Sequence, residues 1–166
     1  MQVRIVVMTL AELNSLPSDG AHAEMLRCCG SRRWVDLMVG QRPFKNKKAL
    51  LVAADEAWAK TDENDWLEAF SSHPRIGGAA TTAWARSEQA SVAAADKSVV
   101  DALARGNAEY EAKFGHIFIV CATGKHAAAM LDLLKSRLGN DPKIEKRIAA
   151  AEQAKITKIR LEKLLS

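Results

Sequence analysis

The sequence predicts an all-α protein: a single-domain helical bundle with one short extended apolar segment in its core. Apolar residues recur at spacings of three and four along most of the chain, which is the period of an amphipathic helix. Capping residues and glycines, rather than hairpin turns, separate these stretches. One run, "HIFIVCA" at residues 116–122, is rich in β-branched and aromatic residues and too short for a comfortable helix, so we expect it to be extended and buried.

Length and composition fit one globular domain. The chain has 166 residues, of which 48% are apolar and 27% are charged, as in an average folded protein. The net charge of +4 comes from basic residues scattered among twenty acidic ones, which favours small anionic ligands and does not require nucleic acid. The three cysteines show neither a CxxC pair nor a secreted disulfide spacing, so we expect a reducing cytoplasm. No export signal or membrane-spanning stretch is visible.

The first half of the chain predicts five helices. Thr9 is expected to cap the first, so the helical domain is assigned to residues 8–166, and residues 1–7 are either an extension or precede a true start at Met8. Ser18 is the expected N-cap of the second helix and Gly30 its stop. The third, "SRRWVDLMVGQRPF", opens with serine. Two more, "NKKALLVAADEAWAK" and "DENDWLEAFSS", follow, and the second of these runs into the motif "SSHPRIGG", residues 71–78.

The second half predicts further helices on either side of the extended run. Residues 83–114 are expected to form one or two alanine-rich helices, interrupted near Asp96 or Gly106. Another helix is expected over residues 125–138. In the last one Asp141 is the N-cap and Pro142 the first helical residue. Its expected inner stripe, broken only by Lys155, consists of Ile144, Ile148, Ala151 and Ile159.

His73 is the first candidate for chemistry. A residue before proline is pushed towards extended backbone geometry, so the helix must end there and the imidazole points off a constrained turn. The C-terminal end of a helix favours a protonated imidazole, which suits an acid or base. The alternative is an ordinary helix stop, with Arg75 a solvated charge and with Gly77 and Gly78 as loop glycines that allow positive φ and close backbone approach.

Glu88 and Gln89 form the second candidate pair, within "RSEQ" at the start of an alanine-rich helix. A carboxylate orients a histidine and raises its basicity, and a glutamine amide recognises a urea-like edge through its donor and acceptor. The structural alternative is that both residues cap a helix.

Metal and nucleic-acid sites are weakly supported. His116, Cys121 and His126 are each five residues apart without a zinc signature, so no metal site is expected and Cys121 is interpreted as a core residue. The basic residues of the last helix alternate with Glu145, Glu152 and Glu162, which indicates a solvated helix face. Arg160 is the exception, since it lies among apolar residues and a buried arginine needs an anionic partner. No nucleotide-binding or nucleophile motif is present, so an enzyme of this sequence is expected to work without a cofactor.

Seven motifs together resemble one family. "CCGSRRWVDLM", "RPF", "HPRIGG", "SEQASV", "FGHIFIVCATGK", "LGNDP" and "KITKIRLEKL" occur in the order and approximate spacing of the 2-oxo-4-hydroxy-4-carboxy-5-ureidoimidazoline (OHCU) decarboxylases of urate breakdown. The resemblance runs from about Met8 to Leu165. It implies an all-helical, cofactor-free, usually dimeric enzyme that releases CO2 from OHCU and forms (S)-allantoin.

The resemblance also implies roles for individual residues. His73 matches the catalytic histidine, and Pro74 the proline that fixes it. Glu88 matches a catalytic glutamate that orients the substrate hydroxyl and the histidine, and Gln89 a residue that holds the ureido or ring amide. The remaining substrate-binding positions implied are Phe118, Ile119, Val120, Cys121 and Ala122, through their backbone, and Arg160.

Three departures from the family pattern leave alternatives open. Ala85 stands where many members have serine, the gap between "HPRIGG" and "SEQ" is short, and "FGHIF" replaces "FGFPF". The alternative functions are a paralogue that acts on a related ureido substrate, for which Ala85 is the cue, and a helical nucleic-acid-binding or regulatory module.

Overall fold

The computed structural model describes residues 7–78, 83–93 and 95–166, and within these the fold is all-α, as predicted. The described residues form ten helices and no strand. The helices are α1 (Leu10–Ser15), α2 (Ser18–Cys28), α3 (Arg32–Gly40), α4 (Lys47–Ala59), α5 (Glu63–Ser71), α6 (Ala83–Glu88), α7 (Ala90–Ala93), α8 (Lys97–Phe114), α9 (Ala127–Arg137) and α10 (Pro142–Leu164). None of the described helices is both long and apolar enough to cross a bilayer.

Local capping explains several helix starts. Thr9 and Glu12 form a capping box, in which each side chain accepts a hydrogen bond from the other residue's backbone N–H. Asp141 caps α10 by accepting from the N–H of Lys143 at 2.9 Å, with Pro142 at the first helical position, as predicted.

The ends of α2 differ from the prediction. Ser18 is its first helical residue and Pro17 occupies the N-cap position. The helix ends at Cys28, because Cys29 already has extended backbone angles, so Gly30 is not what terminates it.

The described residues group into two compact units. One contains residues 7–69 and Gln153–Ser166, and the other contains Phe70–Glu152. In the first unit the largest fully buried side chains include Trp34, Met25, Met38, Leu50 and Leu161. The indole N–H of Trp34 donates to the carbonyl of Ala54 at 3.1 Å. The core of the second contains Leu103, Tyr110, Phe118, Met130 and Leu134.

Helix α8 contains Gly106 without interruption. Of the two predicted break points, Asp96 is the real one, since it is the N-cap of α8. The prediction of one or two helices in this region was wrong, however, because α6, α7 and α8 are three separate helices. A Cβ on Gly106 would lie 2.4 Å from Cδ2 of the buried Leu134. The glycine therefore permits close packing of α8 on α9 rather than breaking a helix.

The predicted inner stripe of α10 is wrong by one position. Ile144 is 56% exposed and Ala151 is exposed, whereas Glu145 is fully buried and Glu152 is 9% exposed. The register is rotated because the Glu145 carboxylate has partners that compensate its burial, described below. These two glutamates do not belong to a solvated face.

The apolar run between α8 and α9 is non-helical, as predicted. It begins after Gly115, which caps α8 with a left-handed φ of 76°. Phe118–Ala122, called the wall segment from here on, is buried at every residue.

Candidate functional site

The unit formed by residues 70–152 contains the "HPRIGG", "EQ" and wall motifs. His73 lies two residues after Ser71, the last residue of α5, and its N–H donates to the carbonyl of Phe70 at 3.2 Å. His73 and Pro74 are both half-buried. The helix therefore ends before the His-Pro pair, as the sequence predicts, and the imidazole is attached to the turn that follows.

Residues 73–78, called the HPRIGG loop below, close in a tight turn. The N–H of Gly78 donates to the carbonyl of Arg75 at 2.9 Å, and Gly77 has a φ of 82°. A positive φ at the third residue of a turn, after a residue with negative φ, is the pattern of a type II turn and favours glycine there. A Cβ on Gly78 would lie 3.1 Å from the carbonyl oxygen of Arg75. Both glycines thus have conformational or steric reasons for their positions.

Helix α8 fixes the loop from one side. The buried Asn107 donates from its side-chain nitrogen to the carbonyl of Ile76 at 2.8 Å. Arg75, rather than being a simple solvated charge, forms an ion pair with Glu111 in which its Nε lies 3.0 and 3.1 Å from the two carboxylate oxygens.

Gln89 joins the loop to the "EQ" motif. Its Oε1 accepts a hydrogen bond from the N–H of Gly77 at 3.1 Å, and the side chain is 9% exposed. The structural alternative considered for this glutamine, a surface cap, does not fit a buried side chain that bridges two motifs. Its amide nitrogen is the part of the side chain that remains to serve a ligand.

Glu88 acts electrostatically on the wall segment. Burial raises the pKa of the Cys121 thiol, and the carboxylates of Glu152 and Glu88 contribute to the increase, while the ammonium of Lys125 opposes it. Glu88 is half-buried at the end of α6, next to Gln89. Of the causes that shift the pKa of Cys121, the charge of Glu88 is the smallest and adds only slightly to the effect of burial.

Charged side chains hold the backbone of the wall segment at two residues. Arg137 donates from Nη1 to the carbonyl of Ile119 at 2.7 Å, and Lys125 donates from Nζ to the carbonyl of Cys121 at 2.7 Å. Glu152 accepts from the N–H of Cys121 at 3.4 Å.

Val120 lies between these anchored residues. No other residue in the part of the chain that the structure describes donates to its carbonyl or accepts from its N–H, although Val120 is only 4% exposed. Buried backbone groups are nearly always paired, so this donor and acceptor are candidates for contact with a ligand that has a complementary edge. A ring amide or a ureido group presents such an edge.

A buried ionic network supports the wall from α9 and α10. Glu145 accepts from the Tyr110 hydroxyl at 2.5 Å and from Arg137 Nε at 2.7 Å, and its other oxygen accepts from Asn140 at 2.9 Å. Burial, followed by the hydrogen bond to Glu145, raises the pKa of the Tyr110 hydroxyl far above its usual value. The guanidinium of Arg137 also lies 4.6 Å from the centre of the Phe118 ring.

Arg160 belongs to the other unit. It is 8% exposed, as predicted, and its Nη1 lies 3.3 Å from the carbonyl oxygen of Arg27. Burial raises the pKa of the neighbouring Cys28 thiol to about 12 and of Cys29 to about 11, with the charge of Arg160 opposing both shifts. Its predicted contact with substrate remains a prediction.

Residues 70–152 also contain supporting residues that sequence reasoning missed. These are Ser91, Asn107, Lys125, Arg137, Glu145 and Glu152. One signal was present for the glutamates: Glu145, Ala149, Glu152 and Ile156 share a helical stripe, but a stripe with two charges resembles a solvated face until the partners are known. Among the described residues, no three His, Cys, Asp or Glu side chains gather as metal ligands would.

Two curated proteins are similar to this chain in sequence. The uric acid degradation bifunctional protein TTL of Arabidopsis thaliana is 42% identical over 147 residues, which make up 84% of this chain and 45% of that protein. The 2-oxo-4-hydroxy-4-carboxy-5-ureidoimidazoline decarboxylase of Amia calva is 34% identical over 100 residues, covering 56% of this chain and 57% of that protein. The chain thus spans about half the length of these curated relatives.

Solved structures agree with these matches. A crystal structure of OHCU decarboxylase in the presence of (S)-allantoin aligns with a TM-score of 0.78 at 40% identity, over 85% of this chain and 96% of that one. A crystal structure of (S)-allantoin synthase aligns with a TM-score of 0.75 at 18% identity, over 95% of this chain and 54% of that one, which is a likeness of fold. The model of the OHCU decarboxylase family matches residues 14–162, so the chain belongs to that family.

Proposed function

We propose that this chain decarboxylates OHCU to (S)-allantoin without a cofactor. The membership of its family and the similarity to a structure determined with (S)-allantoin support the substrate class. The observation that carries the proposal is the meeting of three motifs: Gln89 bonds the HPRIGG loop at Gly77, and Ser91, two residues further along, donates to the carbonyl of Lys125, which follows the wall segment.

The substrate explains why side chains and backbone suffice. The carboxylate of OHCU leaves from a ring carbon next to a conjugated C=N bond, so the ring itself takes up the electron pair. The protein has to orient the carboxylate out of the ring plane, stabilise the developing negative charge and deliver a proton to one face.

Each of these tasks has a candidate residue. His73, held by Pro74 at the end of α5, is the proposed proton donor, and Glu88 the group that orients the substrate hydroxyl and the imidazole. The amide nitrogen of Gln89 is proposed to bind the ureido or ring amide, since its oxygen already bonds Gly77.

The wall segment is proposed to contact the ring through its backbone. Val120 offers a donor and an acceptor that no described residue uses, and the side chains of Phe118, Ile119 and Ala122 give the segment an apolar surface. A planar ring held this way would present one face to the proton donor.

Kinetics with freshly generated OHCU test this proposal. His73→Ala should lower kcat/KM about 100-fold or more, which is the usual contribution of a positioned acid or base. The allantoin formed should also lose its optical purity, followed by optical rotation. The matched control is His126→Ala, because His126 is exposed at the N-cap of α9 and makes no side-chain capping bond.

The proposal would be overturned if His73→Ala converted OHCU to optically pure allantoin as fast as the wild type does. If the wild-type chain left OHCU untouched but turned over a related ureido compound or 5-hydroxyisourate, the alternative of a drifted paralogue would hold instead. Ala85, buried in α6 where many relatives have serine, is the position to examine in that case.

We further propose a cytoplasmic homodimer that takes the small-molecule substrate as its only ligand. All three cysteines are buried free thiols, which supports a reducing compartment. Sedimentation equilibrium would decide the oligomeric state: a mass near twice 18.1 kDa supports the dimer, and a single-chain mass refutes it.

A further inference from the structure

We propose that Lys125 is a positioning residue for the reaction proposed above: it ties the chain that follows Glu88 and Gln89 to the wall segment. The inference rests on the proposed function, and it concerns a lysine that neither the motif comparison nor the sequence reasoning singled out. Lys125 is half-buried in the loop between the wall segment and α9.

Lys125 is fixed to the wall twice. Its N–H donates to the carbonyl of Ala122 at 3.0 Å, closing a turn in which Gly124 has a φ of 77°. Its ammonium turns back and donates to the carbonyl of Cys121 at 2.7 Å. The Lys125 side chain is therefore bound to the backbone of the wall segment and does not extend into solvent.

A third contact connects Lys125 to the "EQ" motif. The hydroxyl of Ser91 donates to the carbonyl of Lys125 at 2.6 Å. Ser91 lies in α7, two residues after Gln89, which bonds the HPRIGG loop. Three hydrogen bonds, joined by the short chain segment from Gln89 to Ser91 and by Lys125 itself, thus connect the loop that contains His73 to the backbone next to Val120.

The ammonium is the member of this series that can be removed with little harm to the fold. A hydrogen bond to a charged group changes an equilibrium constant about 10- to 100-fold, whereas a half-buried lysine leaves little apolar core to collapse when it is shortened. Without the ammonium the carbonyl of Cys121 is released. The backbone of Val120 would then sample more orientations, and the substrate ring with it.

The test compares three variants with a matched control. Lys125→Met removes the ammonium and keeps the alkyl length, Lys125→Arg keeps a cation with donors, and Ser91→Ala removes the contact on the other side. The control is Lys97→Met, because the Lys97 side chain lies in the same unit, is 89% exposed and pairs only on the surface with Asp101.

Three measurements are made on the full chain: steady-state kinetics with fresh OHCU, enantiomeric excess of the allantoin, and amide hydrogen exchange of the wall segment. Lys125→Met is expected to lower kcat/KM about tenfold, which corresponds to the loss of one charged hydrogen bond. It should also lower the enantiomeric excess. Exchange in residues 118–122 should become faster. Lys125→Arg should recover most of each effect, Ser91→Ala should show a smaller loss of the same kind, and Lys97→Met should match the wild type.

The outcomes separate this inference from the proposed function. Wild-type kinetics, enantiomeric excess and exchange in Lys125→Met would overturn it. A loss of activity with unchanged exchange would also overturn it, because the ammonium would then act through its charge and not by holding the wall. If wild-type protein does not turn over OHCU, the proposed function fails and the role of Lys125 in turnover fails with it. The exchange data would still decide whether Lys125 holds the wall.

Discussion

His116 shows how a single residue can be well packed and still carry an unsatisfied atom. Its Nδ1–H donates to the carbonyl of Ile117 at 2.9 Å, and its ring lies 5.1 Å from the Phe70 ring and 5.5 Å from the Tyr110 ring. The buried Nε2 has no hydrogen-bond partner among the described residues. Burial lowers the pKa of His116; the nearby cations of Lys146 and Arg137 also lower it, while the bond to Ile117 and the charge of Glu145 act in the opposite direction.

The lowered pKa predicts acid destabilisation through His116. The folded state holds a neutral ring, but in the unfolded chain the ring takes up a proton as the pH falls through its ordinary value of 6.5. The contribution of the neutral His116 ring to the free energy of unfolding is therefore complete above that pH. It decreases as the pH falls further, by at most about 1.4 kcal/mol per pH unit for one proton. Urea denaturation of wild type and His116→Phe between pH 8 and 5.5 measures this.

The phenylalanine variant serves as its own pH control. It keeps an aromatic ring but cannot be protonated, so the difference between the two unfolding curves isolates His116 from other groups. One of these is the exposed His22, whose pKa is raised mainly by its bond to the Ser18 carbonyl and then by Asp36, and which therefore acts in the opposite direction. A difference that is independent of pH would contradict the prediction.

At the scale of the element, the packing of α8 on α9 depends on Gly106. Ordinarily a glycine inside a helix is unfavourable by roughly 0.5–1 kcal/mol relative to alanine, so a replacement by alanine should stabilise. Here the new Cβ would lie 2.4 Å from Cδ2 and 3.2 Å from Cγ of Leu134, which is completely buried and cannot move freely. The steric cost exceeds the gain in helix propensity.

We expect Gly106→Ala to lower the free energy of unfolding by about 1–3 kcal/mol, as for other overpacked cores. Gly40→Ala is the matched control, because Gly40 is the last residue of α3 and a Cβ there meets nothing within 4 Å. That change should be neutral or slightly stabilising. Equal urea midpoints for both variants would show that Leu134 relaxes at no cost.

The face that α10 turns inward is set by the partners of a buried charge as well as by apolar residues. The sequence places Ile144 on the inner face, but the structure exposes it and buries Glu145 one position further on. Exposure of the isoleucine forgoes part of the roughly 1.5–3 kcal/mol that full burial of such a side chain contributes. The glutamate, in contrast, gains Tyr110, Arg137 and Asn140 as partners, and these come from other elements.

At the scale of the molecule, the Glu145 network organises the unit formed by residues 70–152. It joins α8, α9, α10 and, through Arg137, the carbonyl of Ile119 in the wall segment. Both charged side chains are buried, with exposures of 8% for Arg137 and 0% for Glu145. A buried pair of this kind adds little stability compared with an apolar pair, but the loss of one partner leaves a buried charge uncompensated.

Glu145→Gln should therefore lower the free energy of unfolding by about 3–5 kcal/mol. The control on the same helix is Glu162→Gln, which removes an exposed carboxylate and should change stability by less than about 0.5 kcal/mol. Urea denaturation of Glu145→Gln, Arg137→Met and the double variant measures the coupling. If the two single losses simply add up, the ion pair contributes nothing of its own.

Local sequence patterns predicted the all-α class, several helix ends and the non-helical apolar run. These depend on neighbours along the chain: the Thr9–Glu12 box, Asp141 before Pro142, and the His73–Pro74 pair that ends α5. The motifs also singled out His73, Glu88 and Gln89 as candidates for chemistry.

The contacts that hold those candidates form only when the chain folds. The partners of Gln89, Glu145 and Cys121 lie elsewhere in the sequence, and a lysine such as Lys125 looks like any surface charge until its carbonyl partner is known. Periodicity reports which face of a helix is apolar, but it cannot report which buried charge has found its counterion. That depends on groups brought together only when the chain folds.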